Sequence, residues 1–199
     1  MSPRRSVAGA RDTHAAIVAH AVDVASVEGL EGLTIGRLAS DLEMSKAGVI
    51  GHFGTKEALQ LEALQAATAV FRREVWEPHE HRRPGLPRLT AICEAWIDYL
   101  DRGVFPGGCF LTAAACEFDG RPGPVREAVR AALARWRRTL ENEVRTARAA
   151  GNLPPRTDPA LVAFQISAIA LATNQGIQLL GDHRTTKHAR AAMRAVLRS

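Results

Sequence analysis

Residues 34–56 read TIGRLASDLEMSKAGVIGHFGTK. Thr34 has the hydroxyl side chain of a helix N-cap, and the apolar residues after it have the spacing of one helical face: Ile35, Leu38, Ala39 and Leu42. Ser45 caps a second short helix, whose apolar positions are Val49, Ile50 and Phe53. Two short helices joined by about four residues predict a helix-turn-helix, in which the second helix enters a DNA major groove.

The same run resembles the DNA-binding segment of the TetR family of bacterial transcription regulators. Several residue types agree with the family in order and spacing: Thr34, Ala39, Met44, Ser45, Phe53, Lys56 and Leu59. The resemblance covers about Thr13 to Phe71, and beyond it only length and helical pattern agree. It implies an all-α fold of about nine helices, with an N-terminal three-helix head joined to a C-terminal helical bundle.

Two residues depart from the family pattern. Glu43 stands at the turn position where the family usually carries Gly, and a non-Gly residue held at φ > 0 costs about 1 kcal/mol. Ile50 replaces the family's usual Tyr and so removes a phenolic donor for a DNA phosphate.

The chain divides into three predicted parts. Residues 1–12 form a disordered basic arm, residues 13–55 a helix-turn-helix DNA-binding domain, and residues 56–199 a ligand-binding and dimerisation domain. Arg4, Arg5 and Arg11 of the arm contact DNA or belong to a solvated tail. Helices are predicted over residues 13–29 and 56–77 and, in the body, over 88–102, 109–118, 125–150, 158–180 and 186–198.

Composition narrows the class of protein. The chain has 199 residues, of which 46% are hydrophobic and only 5% aromatic, which favours helices rich in Ala and Leu over a β-sandwich. The net charge of +5 suggests an anionic partner, but residues 1–56 carry equal numbers of acidic and basic side chains. DNA binding must therefore depend on where the charges lie. No signal peptide is recognisable, so we expect a cytoplasmic protein.

The head contains the candidate DNA contacts, which are Thr34, Gly36, Arg37, Ser45, Lys46, Ala47, Gly48, Gly51, His52 and Lys56. Lys46 suits a guanine edge or a phosphate, whereas His52 and Lys56 suit phosphates. The two glycines of the second helix, Gly48 and Gly51, allow its backbone to approach base edges closely. We expect sparse base readout and an affinity that depends strongly on phosphate contacts.

In this family the body usually encloses an effector pocket. The candidates to line it are Trp76, Cys93, Trp96, Phe110, Thr112, Cys116, Trp136 and Phe164. Residues of these types at helical spacing are equally what a hydrophobic core requires, so only some of them are expected to touch a ligand. Because few polar groups lie on these faces, we expect a small, mostly apolar effector, with no cofactor and no metal.

The segment Leu161–Leu180 is apolar on nearly every side, and we expect it to be too short and too polar for a membrane span. An apolar helix in a soluble protein must be covered all round, either inside one monomer or against a second copy. We favour a dimer formed by the last two helices in a four-helix contact. Its predicted interface comprises Phe164, Ala168, Leu171, Gln175, Leu179, Ala189, Met193 and Val196.

These features predict a dimeric, ligand-responsive repressor that binds a near-palindromic operator in double-stranded DNA. The alternative is a helical ligand-binding or redox-sensing protein with a vestigial helix-turn-helix. Among its cysteines (Cys93, Cys109 and Cys116), Cys109 is the best redox candidate because a helix N-terminus lowers a thiol pKa. No catalytic motif is recognisable, so we do not expect an enzyme.

Overall fold

All regular structure in residues 7–198, which the computed structural model describes, is helical, so the all-α prediction is confirmed. The nine α-helices of that range are α1 (Val7–Gly32), α2 (Ile35–Asp41), α3 (Lys46–Phe53), α4 (Lys56–Phe71), α5 (Leu86–Asp101), α6 (Phe110–Phe118), α7 (Pro124–Ala149), α8 (Pro159–Gln178) and α9 (Thr185–Val196). A π-helical turn, Arg72–Trp76, and a 3-10 turn, Glu77–His79, follow α4, where the sequence predicted one continuous helix.

The chain folds as two compact units. The first comprises Met1–Thr68 and Phe105–Val129, and the second comprises Ala69–Val104 and Arg130–Ser199. Helices α1, α2, α3 and α6 lie in the first unit, and α5, α8 and α9 lie in the second. The first unit extends beyond the predicted head because α6 packs against α1.

Helix α1 has the buried face that its sequence predicts, formed by Ile17, Ala21, Val24 and Ala25. Gly29 breaks the helical geometry with φ 79° and ψ 164°, so the predicted stop is confirmed. The helix begins at Val7, however, so residues 7–12 of the predicted disordered arm are helical. Arg4 and Arg5 lie outside the described residues.

The end of α1 is tied to α6 by one carboxylate. The backbone N–H groups of Leu30 and Glu31 donate to Oε2 and Oε1 of Glu117, each at 2.8 Å. The chain before α6 also approaches α1 closely, since a Cβ at Gly107 would stand 1.7 Å from the carbonyl oxygen of Ser26. These contacts fix α6 against the last turn of α1.

In the second unit, α5 buries its whole predicted stripe, which is Leu89, Ile92, Cys93, Trp96, Ile97 and Leu100. Beside it lies a largely buried ion pair, in which Arg88 donates to Glu143 at 2.6 Å and the Gly85 N–H donates to the same carboxylate at 2.8 Å. These two bonds and a third from Arg88 Nε to Glu143 offset the desolvation of the Glu143 carboxylate. Leu133 of α7 is 38% exposed, although its stripe predicted burial.

Helix α8 begins as the sequence predicts, with the Asp158 side chain accepting from the Ala160 N–H at 2.9 Å and Pro159 in the first turn. The expectation that this helix is too short and too polar to span a membrane was wrong, because its 20 residues meet the length and hydropathy of a span. Length and composition alone are weak evidence for a span, and α8 packs against α5 and α9 within its unit.

The Glu117 contact gives the first prediction. Glu117→Gln should lower the free energy of unfolding by about 1.5–3 kcal/mol. The side-chain NH2 group of glutamine would replace one accepting oxygen, so one of the two backbone N–H groups would face a donor. Urea denaturation followed by circular dichroism measures the change. Asp23→Asn, which alters an exposed carboxylate on α1, is the matched control. Equal stability of the two variants would contradict the role assigned to Glu117.

Candidate nucleic-acid interface and effector site

The turn between α2 and α3 is a Schellman motif closed by a glutamate. The Glu43 N–H donates to the Ser40 carbonyl (3.3 Å) and the Met44 N–H to the Ala39 carbonyl (2.8 Å). Glu43 has φ 52° and is the one non-Gly residue with positive φ among residues 7–198. The strain predicted at this position is therefore present, and the two hydrogen bonds hold it in place.

Both helices of the motif carry the predicted hydroxyl caps. The Thr34 side chain accepts from the Arg37 N–H at 3.1 Å, and the Ser45 side chain accepts from the Gly48 N–H at 3.0 Å. Val49 and Phe53 turn inward and are buried, which fixes the rotation of α3 about its axis.

Helix α3 exposes Lys46, Ala47, Ile50 and Gly51, while Gly48 and His52 are half-buried. The sequence placed Ile50 on the apolar face with Val49 and Phe53, but Ile50 is 45% exposed. Sequence reasoning therefore missed Ile50 as a surface residue of this helix, although its place four residues after Lys46 and three after Ala47 was a signal.

Two of the predicted DNA-contacting cations, Lys56 and Arg37, have carboxylate partners inside the head. Lys56 Nζ donates to the Glu31 backbone carbonyl at 2.7 Å and to its carboxylate at 3.2 Å. Arg37 donates to Asp41 at 2.7 Å and to Glu28 at 2.8 Å. Hydrogen bonds from Gln60 and then Lys56 hold the pKa of the Glu31 carboxyl below its usual value. Hydrogen bonds from His20 and Arg37 lower the pKa of Asp41 in the same way. Both acids are thus ionised partners for these cations at neutral pH.

Two further candidate contacts rest against the head itself. The His52 ring lies edge-on to His14, with ring centroids 5.7 Å apart. The stem of Lys46 passes Gly36, where a Cβ would stand 3.4 Å from Lys46 Cε. Gly36 therefore gives the Lys46 side chain room to lie along the start of α2.

In the second unit, an aromatic cluster contains two of the predicted effector contacts, Trp96 and Trp136. Their ring centroids lie 5.4 Å apart, and Phe71 packs edge-on against them at 5.6 and 5.0 Å. Tyr99 lies 5.4 Å from Phe71 on the same cluster. Among the described residues, neither buried indole N–H of Trp96 and Trp136 has a hydrogen-bond acceptor. Buried N–H donors are almost always hydrogen-bonded, so these two are suited to an acceptor supplied by ordered water or by a ligand.

The other predicted effector contacts are dispersed. Trp76 carries the Arg88 guanidinium over its ring at 5.1 Å. Cys93 is buried in the second unit and Phe164 is 67% exposed. The remaining three, Phe110, Thr112 and Cys116, belong to the first unit.

A surface groove of about 470 Å³ lies elsewhere, along α7. Four of its lining residues are charged (Arg130, Arg137, Arg138 and Glu141), and the other two are Leu133 and Ala134. It is open to solvent rather than enclosed, and it contains none of the predicted effector contacts.

The thiol chemistry differs from the sequence expectation. Burial raises the pKa of Cys109, and this outweighs the hydrogen bonds from the start of α6. Burial also raises the pKa of Cys93 to about 12. Since the thiolate is the reactive form, neither residue has the lowered pKa of a redox sensor. Cys116 is the exposed cysteine.

The predicted dimer contacts divide into two groups. Five of them form an exposed stripe at and just beyond α8, namely Phe164, Ala168, Leu171, Gln175 and Leu179. On α9, Ala189 and Met193 are buried at 4% and 2% exposure, so they pack inside their own unit and have no surface left for a partner. Val196 is half-buried.

Two family models match the chain. The model for bacterial regulatory proteins of the tetR family matches residues 17–63, which include the whole helix-turn-helix. The model for the tetracyclin repressor-like C-terminal domain matches residues 85–193. A comparison with curated protein sequences gave no match.

Solved structures of similar fold include a TetR transcriptional regulator from Chloroflexus aurantiacus J-10-fl. It is 25% identical, with a TM-score of 0.87 over 95% of this chain and 96% of that one. AibR in complex with isovaleryl coenzyme A and operator DNA is 22% identical, with a TM-score of 0.72 over 90% and 95%. A putative transcriptional regulator from Saccharomonospora viridis in complex with choline is 21% identical, with a TM-score of 0.77 over 93% and 95%.

The C-terminal model alone covers more than half of the chain, and the N-terminal model covers the motif that the structure forms with hydroxyl caps and a Schellman turn. Proteins of this kind are transcriptional regulators and generally not enzymes. The chain belongs to the TetR family of transcriptional regulators, with a DNA-binding helix-turn-helix and an effector-binding C-terminal domain.

Proposed function

We propose that this regulator is a cytoplasmic, ligand-responsive repressor that binds a near-palindromic operator as a homodimer. The observation that carries the proposal is the outward face of α3, on which Lys46, Ala47, Ile50 and Gly51 are exposed. An effector that prefers the state with low DNA affinity releases the operator, and such couplings typically amount to about 1–3 kcal/mol.

Affinity for DNA comes largely from phosphate contacts. Only Lys46, among the four exposed residues of α3, has a side chain that donates hydrogen bonds. Lys56 stands at the start of α4, and its bond to Glu31 is solvent-exposed, so a DNA phosphate competes for the same ammonium group. An exposed pair of this kind contributes about 0–1 kcal/mol, which a phosphate contact readily replaces.

The exposed α8 stripe supports the homodimer. Phe164 and Leu179 are 67% and 80% exposed, and Leu161, Leu171 and Leu180 add further apolar surface. A monomeric soluble protein rarely leaves so much contiguous apolar surface in water. A second copy of the same stripe covers it and sets two heads at a fixed spacing.

The aromatic cluster supports a proposal for the chemical class of the effector. The ligands named for the two complexes, isovaleryl coenzyme A and choline, differ greatly, and at 21–22% identity these likenesses show only the fold. The cluster in this chain offers apolar rings and two indole N–H donors. We therefore propose a mostly apolar effector that carries at least one oxygen acceptor, such as a carbonyl group.

The redox alternative loses its main support, because the pKa of the Cys109 thiol is raised rather than lowered. The vestigial helix-turn-helix also loses support. Glu43 is accommodated by two backbone hydrogen bonds, and both helix caps are formed.

Selection from random duplex DNA tests the function directly. The purified protein should enrich a near-palindrome with half-site centres one helical turn (about 34–36 Å) apart, or a multiple of it. Binding to the enriched duplex should exceed binding to a scrambled duplex by at least about 1,000-fold. Leu133→Ala, a substitution in the second unit that leaves the head intact, is the control, and the sequence it enriches is compared with that of the wild type. Retention of random DNA without any consensus would refute the proposal.

The dimer has its own test. Phe164→Glu should convert the protein to a monomer at micromolar concentration, because a charge replaces a large ring at the centre of an apolar interface. Analytical ultracentrifugation measures the mass. Leu133→Glu, an exposed apolar residue of α7, is the control and should leave the mass unchanged. If both variants sediment with the wild-type mass, α8 is not the interface.

The effector chemistry is tested with two probes that differ in one oxygen atom, acetophenone and ethylbenzene. The ratio of their affinities should shift against acetophenone by about 3- to 10-fold in Trp136→Phe, since phenylalanine keeps the ring but lacks the N–H donor. Isothermal titration calorimetry measures both affinities. Trp76→Phe is the control, because the Trp76 indole N–H is not one of the buried donors without an acceptor among the described residues. An unchanged ratio in Trp136→Phe argues against an acceptor at this cluster.

A further inference from the structure

Ile50 is an exposed apolar side chain on the helix that the proposed function places in the DNA groove. It is 45% exposed, whereas its neighbours Val49 and Phe53 are buried at 0% and 7%. Ile50 lies three residues after Ala47 and four after Lys46, so these side chains share one face of α3. The protein itself thus leaves Ile50 without cover.

The surroundings of Ile50 favour close approach of a partner. Gly51, the next residue, is exposed, and a Cβ built there would meet no atom within 4 Å. Packing inside the head therefore does not require glycine at this position. A small residue beside Ile50, with Ala47 one turn before it, lets the helix backbone come near a base-pair edge.

The major groove offers mostly polar atoms to such a side chain. All four bases present hydrogen-bonding atoms there, and thymine alone adds an apolar group, its C5-methyl. Covering a donor or acceptor with isoleucine leaves that polar group without its water and without a partner, which is costly. Covering the methyl group buries apolar surface on both sides.

We infer that Ile50 determines sequence specificity by contacting a thymine C5-methyl group in each operator half-site. This inference rests on the proposed DNA binding and specifies how one base pair is read. Lys46, on the same face, supplies the charge-assisted contact, and Ile50 supplies the discrimination for an A·T pair. Isoleucine in place of the family's usual tyrosine loses a hydrogen-bond donor to a DNA phosphate and gains an apolar contact with a base.

Uracil in place of thymine tests the inference, because it removes the methyl group and leaves every hydrogen-bonding atom. Each thymine of the selected half-site is replaced in turn by deoxyuridine, in both half-sites, and dissociation constants are measured by fluorescence anisotropy. At one position the replacement should weaken binding by about 3- to 5-fold per half-site, as expected for one buried methyl group. In Ile50→Ala the thymine and uracil duplexes should bind within about 1.5-fold of each other at that position.

Val27→Ala is the matched control, since Val27 is another exposed apolar residue of the first unit, at 64% exposure. This variant should keep the wild-type preference for thymine. If no uracil replacement weakens wild-type binding, or if Ile50→Ala keeps the same preference, the inference is overturned while specific DNA binding stands. A selection without any consensus is a different result and overturns the proposed function itself.

Discussion

The first unit depends on the carboxylate of Glu117, which accepts the N–H groups of Leu30 and Glu31 where α1 has just been broken by Gly29. Those two residues also receive α4, because Gln60 donates to the Leu30 carbonyl at 2.7 Å and Lys56 to the Glu31 carbonyl at 2.7 Å. One short segment therefore uses its amides for α6 and its carbonyls for α4. A shift of α6 cannot leave the start of α4 unaffected, since both are bonded to the same two residues and share the peptide group that joins Leu30 to Glu31.

The orientation of α3 is likewise set by hydrogen bonds to backbone groups at a helix end. Its N-terminus is capped by Ser45, and the preceding turn is closed by hydrogen bonds to the carbonyls of Ala39 and Ser40 in α2. The burial of Val49 and Phe53 then fixes which side of α3 faces the solvent. The identity of the outward residues is free to vary, because none of them takes part in these contacts. The residues proposed to read DNA are thus separate from those that stabilise the head.

Sequence periodicity and capping rules were sufficient for the fold, since the buried faces of α1 and α5, the stop at Gly29 and the caps at Thr34, Ser45 and Asp158 all occur as predicted. These rules were insufficient where the burial or the pKa of a residue depends on its neighbours in the folded unit. Ile50 and Leu133 fit an apolar stripe but are 45% and 38% exposed. Ala189 and Met193 fit an exposed interface but face the core of their own unit. Cys109 begins a helix, yet burial outweighs the effect of the helix terminus on its pKa.

The basic side chains of the head also have roles that depend on the groups bonded to them. Arg37 and Lys56 each donate to a carboxylate of the head, so the proposed contacts of these two residues with DNA would exchange one anionic partner for another. Contacts with phosphates position the protein on DNA but do not distinguish one base sequence from another. On the proposed mode of binding, the direct contacts of α3 must therefore supply the preference for one sequence over another. A recognition surface of one lysine, one isoleucine and two residues without long side chains can do so only by fitting closely against the bases, which is why its small residues matter as much as its large ones.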